Sequence, residues 1–335
     1  MCNWNLLIPD RLVHKSDLLW LSFTNGKPDL DICAYDHAVK GETMKLTNNL
    51  NLPQPFVDAL SRDYEYKDKR YSVTAMLKGY REIILTRRHF SEMEEDASDS
   101  IWMIFGTAVH KVLEESKEAK DELKETKIYY EFPNGYTLSG QQDLYSESLK
   151  RITDYKTGSV WKVIYDDWAD YRKQCLYYAL LFRKIGFECD NAEIVMILKD
   201  FSKTDSRVKK GYPEHPVFIK HFDFTDEEFK EAEGEIIRKF DKIDELKNIE
   251  DDKLPLCTNE ERWASQDKYA VMKKGAKKAL KLCDSKDEAD QIVKGGKGDY
   301  IEFRQGEDKK CKEYCSCAKW CSYWREKYGE QCSKE

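Results

Sequence analysis

The sequence predicts an α/β fold, a mixed central sheet flanked by helices, with an N-terminal extension before it and a cysteine-bearing module after it. Three observations predict it. Helical and strand periodicities alternate between residues 69 and 250. The strand-like segments are short and separated by turn signals such as Asn134-Gly135. Five cysteines crowd into residues 311–332, beyond the last strongly periodic helix.

Residues 1–68 read as an extension of short strands and turns, with a Gly26-Lys27-Pro28 turn and a Pro53-Gln54-Pro55 break. A core over 69–250 follows. Ser72 is placed to cap a helix running toward Leu77, and a second helix is expected from about Asp99 to Lys120. The second carries an apolar stripe of Trp102, Phe105, Val109, Val112 and Leu113. Lys127 to Phe132, Tyr136 to Asp143 and Leu149 to Lys156 then read as an antiparallel meander. A helix is expected from about Asp166 to Lys184, and strands over Ala192 to Leu198 and Val217 to Phe224. Thr225-Asp226-Glu227-Glu228 is a capping box that opens a long polar helix to about Asn248. In the module over 251–335, Ser285-Lys286-Asp287-Glu288 repeats that signature, and Lys274, Lys277, Lys278 and Lys281 fall at the spacing of a basic helical stripe.

With 36% charged and 13% aromatic residues the chain is a folded protein. Its apolar runs are far shorter than the roughly 20 residues of a membrane span, and no signal-peptide layout opens it, so a cytoplasmic site is expected. Eleven cysteines there point to metal ligation or core thiols before disulfides. A net charge of −7 runs against nucleic-acid binding. Segregation offsets it, since the acidic run Glu92 to Asp96 is separate from the basic stretch Lys273 to Lys281. A nucleotide-driven motor is disfavoured, because Gly295-Gly296-Lys297-Gly298 lacks the phosphate-loop spacing.

Four small motifs stand in order. Gly106, His110 and Glu114 share one flank of a helix. Gly140-Gln141-Gln142-Asp143 ends a strand. In Asp154-Tyr155-Lys156 the strand period points Asp154 and Lys156 to one face. Gln174 and Tyr178 stand one helical turn apart. Two carboxylates on neighbouring strands suit a hard divalent cation, and an ammonium beside them suits charge building on a phosphate. Each motif alone has a plainer reading: a helix histidine, a solvated strand edge, buried tyrosines.

In this order and context the four resemble the motifs of RecB-like nucleases of the PD-(D/E)xK superfamily. That resemblance implies a restriction-endonuclease-like core and a metal-dependent deoxyribonuclease, with exonuclease action expected. His110, Asp143, Asp154 and the backbone carbonyl of Tyr155 would be metal ligands for Mg2+ or Mn2+. Lys156 would position or activate the attacking water, and Gln174 and Tyr178 would support site and substrate, with Glu114 behind them. Expected partners are single-stranded DNA or duplex ends and a recombination or replication protein.

Cys311-x3-Cys315-x5-Cys321, with Cys317 interposed, lies among Lys309, Lys310, Lys312, Glu313 and Lys319, a polar setting that favours ligation over core packing. Four thiolates suit a tetrahedral zinc or a four-iron cluster. Several RecB-like nucleases close an iron–sulphur cluster with one upstream and three C-terminal cysteines. By that resemblance Cys257, Cys311, Cys315 and Cys321 would hold a 4Fe–4S cluster, with Zn2+ as the alternative and Cys317 as a rival ligand. Phage-encoded members are most similar, sharing the stretches Leu256 to Trp263 and Tyr300 to Gly306, which implies a host-cell cytoplasmic role in phage recombination, replication or counter-defence. Cys2, Cys33, Cys175, Cys189 and Cys283 read as ordinary thiols. The rival class is a non-catalytic DNA-binding or protein-interaction module that keeps the fold.

Overall fold

The computed structural model describes residues 22–24, 27–29, 44–61, 66–117 and 119–332. The described residues fall into two compact units, one made of those within 1–39, 67–74 and 103–237 and the other of those within 40–66, 75–102 and 238–335.

The first unit is mixed α/β. The strands Arg151–Gly158 and Asn191–Leu198 are parallel from Arg151↔Asn191 to Gly158↔Leu198, and Ala169–Lys184 is the helix that joins them. Val217–Asp223 pairs antiparallel on the outer side of Asn191–Leu198. On the other side come Leu144–Ser146 and then Glu122–Lys124, completing a five-stranded sheet. A second sheet sets Arg70–Ser72 parallel, and Lys127–Glu131 antiparallel, to Thr137–Gln141. The expected meander is thus divided between two sheets, because the chain turns at Gln142-Asp143. Period-two burial of Ala192, Ile194, Met196 and Leu198 seats the central strand. The joining helix is buried without a break from Gln174 to Phe182 and packs on strands of both sheets. The Thr225 capping box forms as read: Thr225 N donates to Glu228 Oε2 at 3.0 Å and Glu228 N to Thr225 Oγ1 at 3.3 Å.

Gly140 shows how tightly that helix docks. A Cβ there would lie 2.7 Å from Leu181 Cδ1 and 2.9 Å from Tyr178 Cδ1. Gly140→Ala is therefore expected to cost about 1–3 kcal/mol in a denaturant melt, through overpacking. A variant as stable as wild type would show that the two side chains simply step aside. Gly106 differs: a Cβ there would have Thr157 Oγ1 as its nearest neighbour at 3.7 Å, an ordinary contact.

The second unit holds an antiparallel sheet of Lys281–Cys283, Lys268–Met272 and Tyr300–Arg304, covered by the Lys286–Lys294 helix over Val271, Cys283 and Ala289. Ser285 caps that helix by accepting from Glu288 N at 3.2 Å. The basic stripe does not exist as a helix. Residues 273–280 form the turn between two strands, with Gly275 at φ +79°, and Lys281 already lies in the next strand. The pairing of Lys268–Met272 with a strand on each side and a left-handed glycine override the helical spacing. The Pro53-Gln54-Pro55 break is the start of a helix, Gln54–Leu60, because proline's fixed φ suits a first turn. Gly26, Cys2 and Cys33 lie outside the described residues; Lys27 and Pro28, read as part of a turn, stand instead in the strand Lys27–Asp29, which pairs antiparallel with Ser22–Thr24. No helix among the described residues is long and apolar enough to cross a membrane.

Candidate active site and thiol site

The Ile101–Glu114 helix carries His110 and ends nearly two turns before the expected Lys120. None of its residues is buried, so the apolar stripe of Phe105 and Val112 faces solvent among the described residues. His110 Nδ1 lies 3.1 Å from Asp143 Oδ1 and 3.9 Å from Glu125 Oε1. Asp143 sits where the Leu144–Ser146 ladder runs out, and its Oδ2 accepts from Tyr155 N at 2.6 Å in place of the next ladder bond. The carboxylate is thereby fixed against the neighbouring strand. One residue back on that strand is Asp154, 3% exposed and paired through Oδ2 with the Lys156 ammonium, as the strand's period requires.

Glu125 escaped sequence reasoning. It occupies a φ of +47° between two strands, Gln141 Nε2 donates to its Oε2 at 2.8 Å, and its backbone N donates to Asp143 O at 3.1 Å. The ligand atoms of His110, Glu125 and Asp143 all lie within 4.8 Å of one another. Adjacent oxygens around an octahedral cation at about 2.1 Å stand roughly 3 Å apart, so the trio needs only small adjustment to hold one ion. Gln174 and Tyr178 are buried and joined, Nε2 to Oη, at 3.3 Å. Glu114 ion-pairs with Lys111 at 3.0 Å.

Electrostatics follow from that crowding. Burial pushes the Asp154 carboxyl up, the Lys156 and His110 charges oppose it, and Asp143 adds to it, with the balance upward. Burial works against the Lys156 ammonium, but the Asp154 carboxylate outweighs it, so the lysine holds its proton. It acts as a donor and a cation. Hydrogen bonding to Asp143 first, and Glu125 second, raises the His110 imidazole to about 10.

Within the second unit, one cavity is lined by Cys257, Cys311, Cys315, Cys317 and Cys321 together with Arg81, Glu82 and Lys310. The expected polar setting is only partly met. Cys317 is 1% exposed and belongs to an apolar cluster with Ile84, Leu85, Met93 and Leu254. Its thiol lies 3.5 Å from Cys315 Sγ, which draws the Cys315 thiol down and its own up. Burial pushes Cys257 up to about 11 and Cys311 up to about 12. Cys175, Cys189 and Cys283 are buried thiols elsewhere.

Arg81 faces this cavity at 2% exposure. Its donors reach Leu254 O, Pro255 O at 3.2 Å, Ser322 Oγ at 3.0 Å and Cys321 Sγ at 3.5 Å. No carboxylate among the described residues forms an ion pair with it. Glu82, also buried, takes Lys78 at 3.1 Å and Lys310 at 2.7 Å.

No family profile and no curated protein matches the sequence. Among solved structures the chain is similar to SSO0001, with 15% identity over 58% of this chain and 84% of that one at a TM-score of 0.40. It is also similar to an alkaline exonuclease from Laribacter hongkongensis, with 13% identity over 53% and 89% at a TM-score of 0.36. A phage-related exonuclease from Haemophilus somnus gives 15% identity over 52% and 80% at a TM-score of 0.27. The alkaline exonuclease has also been solved in complex with dAMP. The chemistry of this chain rests on its own residues.

Proposed function

We propose that the chain is a divalent-cation-dependent deoxyribonuclease of the RecB-like branch of the PD-(D/E)xK superfamily, acting as an exonuclease. The observation that carries this reading is the meeting of His110, Glu125 and Asp143 beside the buried Asp154–Lys156 pair. His110, Glu125 and Asp143 hold the cation in this reading; Asp154 lies outside that trio and joins it, with the Tyr155 carbonyl, only as the family's motif implies. Mg2+ or Mn2+ there supplies Lewis acidity toward a phosphate oxygen and lowers the pKa of a water. The Tyr155 N–H keeps Asp143 from swinging away. The Lys156 ammonium donates to the water or to a phosphate oxygen and neutralises charge as it builds. Gln174 and Tyr178 back the strand face on which Lys156 stands. Incubating the protein with labelled single-stranded and duplex DNA, with Mn2+ or with chelator, tests this. Metal-dependent cleavage is expected, and binding without cleavage would assign the chain to the non-catalytic class.

His110 gives the cation site a pH signature. An imidazole held protonated up to about 10 must shed its proton before it accepts a metal. Affinity for Mn2+, measured calorimetrically, is expected to rise roughly tenfold per pH unit above neutrality, with proton release that His110→Ala abolishes. A flat wild-type profile would remove His110 from the ligand set.

The thiol site suits an iron–sulphur cluster bound by Cys257, Cys311, Cys315 and Cys321. Tetrahedral zinc, with bonds of about 2.3 Å, needs sulfurs roughly 3.8 Å apart. Cys315 and Cys317 approach to 3.5 Å, and Cys257, Cys311 and Cys321 line the same cavity, so zinc stays the alternative occupant. A cluster supplies negative charge opposite Arg81 and cross-links the segments that carry its ligands. Cys317 donates to Cys315 in this arrangement and is not itself a ligand.

A further inference from the structure

The residues just after the Asp154–Lys156 strand take no part in the proposed cation site. Gly158 ends the strand, and Ser159 caps a one-turn helix, Val160–Ile164. That helix is anchored: Ser159 Oγ donates to Asp200 Oδ2 at 2.6 Å, Val160 N donates to Asp200 Oδ1 at 2.8 Å, and Val160 is buried beneath. On its open side Trp161 and Tyr165 are 55% and 72% exposed. Their rings stack on each other with centroids 5.6 Å apart and planes inclined by 23°. Two large rings on a rigid support, packed face to face, present broad apolar faces to water.

Two observations tie this pair to the candidate active site. Lys162, between the two rings in sequence, has its ammonium 4.8 Å from the Tyr171 ring, and Lys156 has its ammonium 5.6 Å from the same ring. The two ammoniums are therefore no more than about 10 Å apart, the reach of a neighbouring nucleotide. Asp200, the helix anchor, leads directly into a shallow depression lined by Phe201, Lys203, Arg207, Glu214 and His215. Lys203, Arg207, Lys209 and Lys210 are exposed on that segment. Lys209 pairs with Asp205, and Lys162 has Asp167 at 3.6 Å. Exposed aromatics beside a basic segment are what a sequence-tolerant single-strand path requires, since every base has a face to stack and every linkage a charge to neutralise.

We propose that Trp161 and Tyr165 form a base-stacking platform for unpaired DNA, with Lys203 and Arg207 along the backbone, leading a single strand to the Asp143/Asp154/Lys156 centre. The proposal rests on the DNA-nuclease reading of that centre. Stacking is worth enough per base that losing one contact weakens binding by roughly tenfold.

The test is binding of a labelled oligodeoxythymidine and of a blunt duplex of equal length, both in chelator, by full-length wild type, Trp161→Ala/Tyr165→Ala and Trp161→Phe. The double variant is expected to lose about tenfold or more for the single strand and less than twofold for the duplex, while Trp161→Phe keeps most of the affinity. Circular dichroism controls for folding. Unchanged single-strand affinity would overturn the platform and give the rings to an apolar protein partner. So would an equal loss on both substrates, which marks a general defect. Cleavage of the same strand by wild type in Mn2+ is scored separately, so a protein that binds as expected but does not cut sinks the nuclease reading and leaves the platform standing.

Discussion

Replacing Asp154 by asparagine is expected to lower DNA hydrolysis by about a thousandfold, measured as initial rate at saturating Mn2+. The substitution removes one carboxylate from the proposed cation site and the counterion from Lys156 at the same time. The two side chains are only 4% and 21% exposed, so stability should also fall, by about 3 kcal/mol, because a mostly buried ammonium is left unpaired. The two effects separate in Asp154→Asn/Lys156→Met, which should recover stability and no activity. Cleavage within tenfold of wild type by the single variant would show that this carboxylate takes no part in the chemistry.

Changing Cys311 and Cys321 to serine together should abolish the brown colour and broad visible absorbance expected of the purified wild type. The midpoint of thermal unfolding is expected to fall by about 5–10 °C, since the bound group's affinity for the folded chain is part of folding free energy. Iron and sulfide analysis of wild type decides what is lost. A colourless protein with stoichiometric zinc would refute the cluster and keep only the thiolate site.

The most legible residues were those whose position a local period dictates. Asp154 and Lys156 share a face because a strand alternates, and Gln174 and Tyr178 meet because a helix turns. Asp143 was legible as the end of a strand. Glu125 was not, because its approach to His110 depends on a left-handed backbone between two strands and on its own N–H donating to the Asp143 carbonyl, neither of which leaves a pattern in Lys124-Glu125-Thr126. The lysines at 274, 277, 278 and 281 show the converse: a helical spacing arose by chance where Gly275 and the flanking strands form a turn. Arg81 carries no signal in the sequence, since its enclosure depends on Leu254, Pro255 and Ser322, far along the chain.

Asp308 bears on how the thiol cavity is filled. This carboxylate is 2% exposed and accepts from Arg262 Nε at 3.1 Å, Tyr323 at 2.6 Å, Lys327 at 2.7 Å and Tyr328 at 2.9 Å. Those donors hold it well below the usual carboxylate range despite burial. Arg262 also donates to Cys257 O, Asp308 begins the Lys309–Glu313 helix that bears Cys311, and the tyrosines stand on the helix that follows Cys321. The arms that carry the sulfurs are thus clamped together by an anion that needs no iron. On the proposed cluster reading, protein stripped by air or chelator should keep an empty socket, and ferric iron with sulfide and a thiol that reduces half of the iron should restore the colour without prior denaturation.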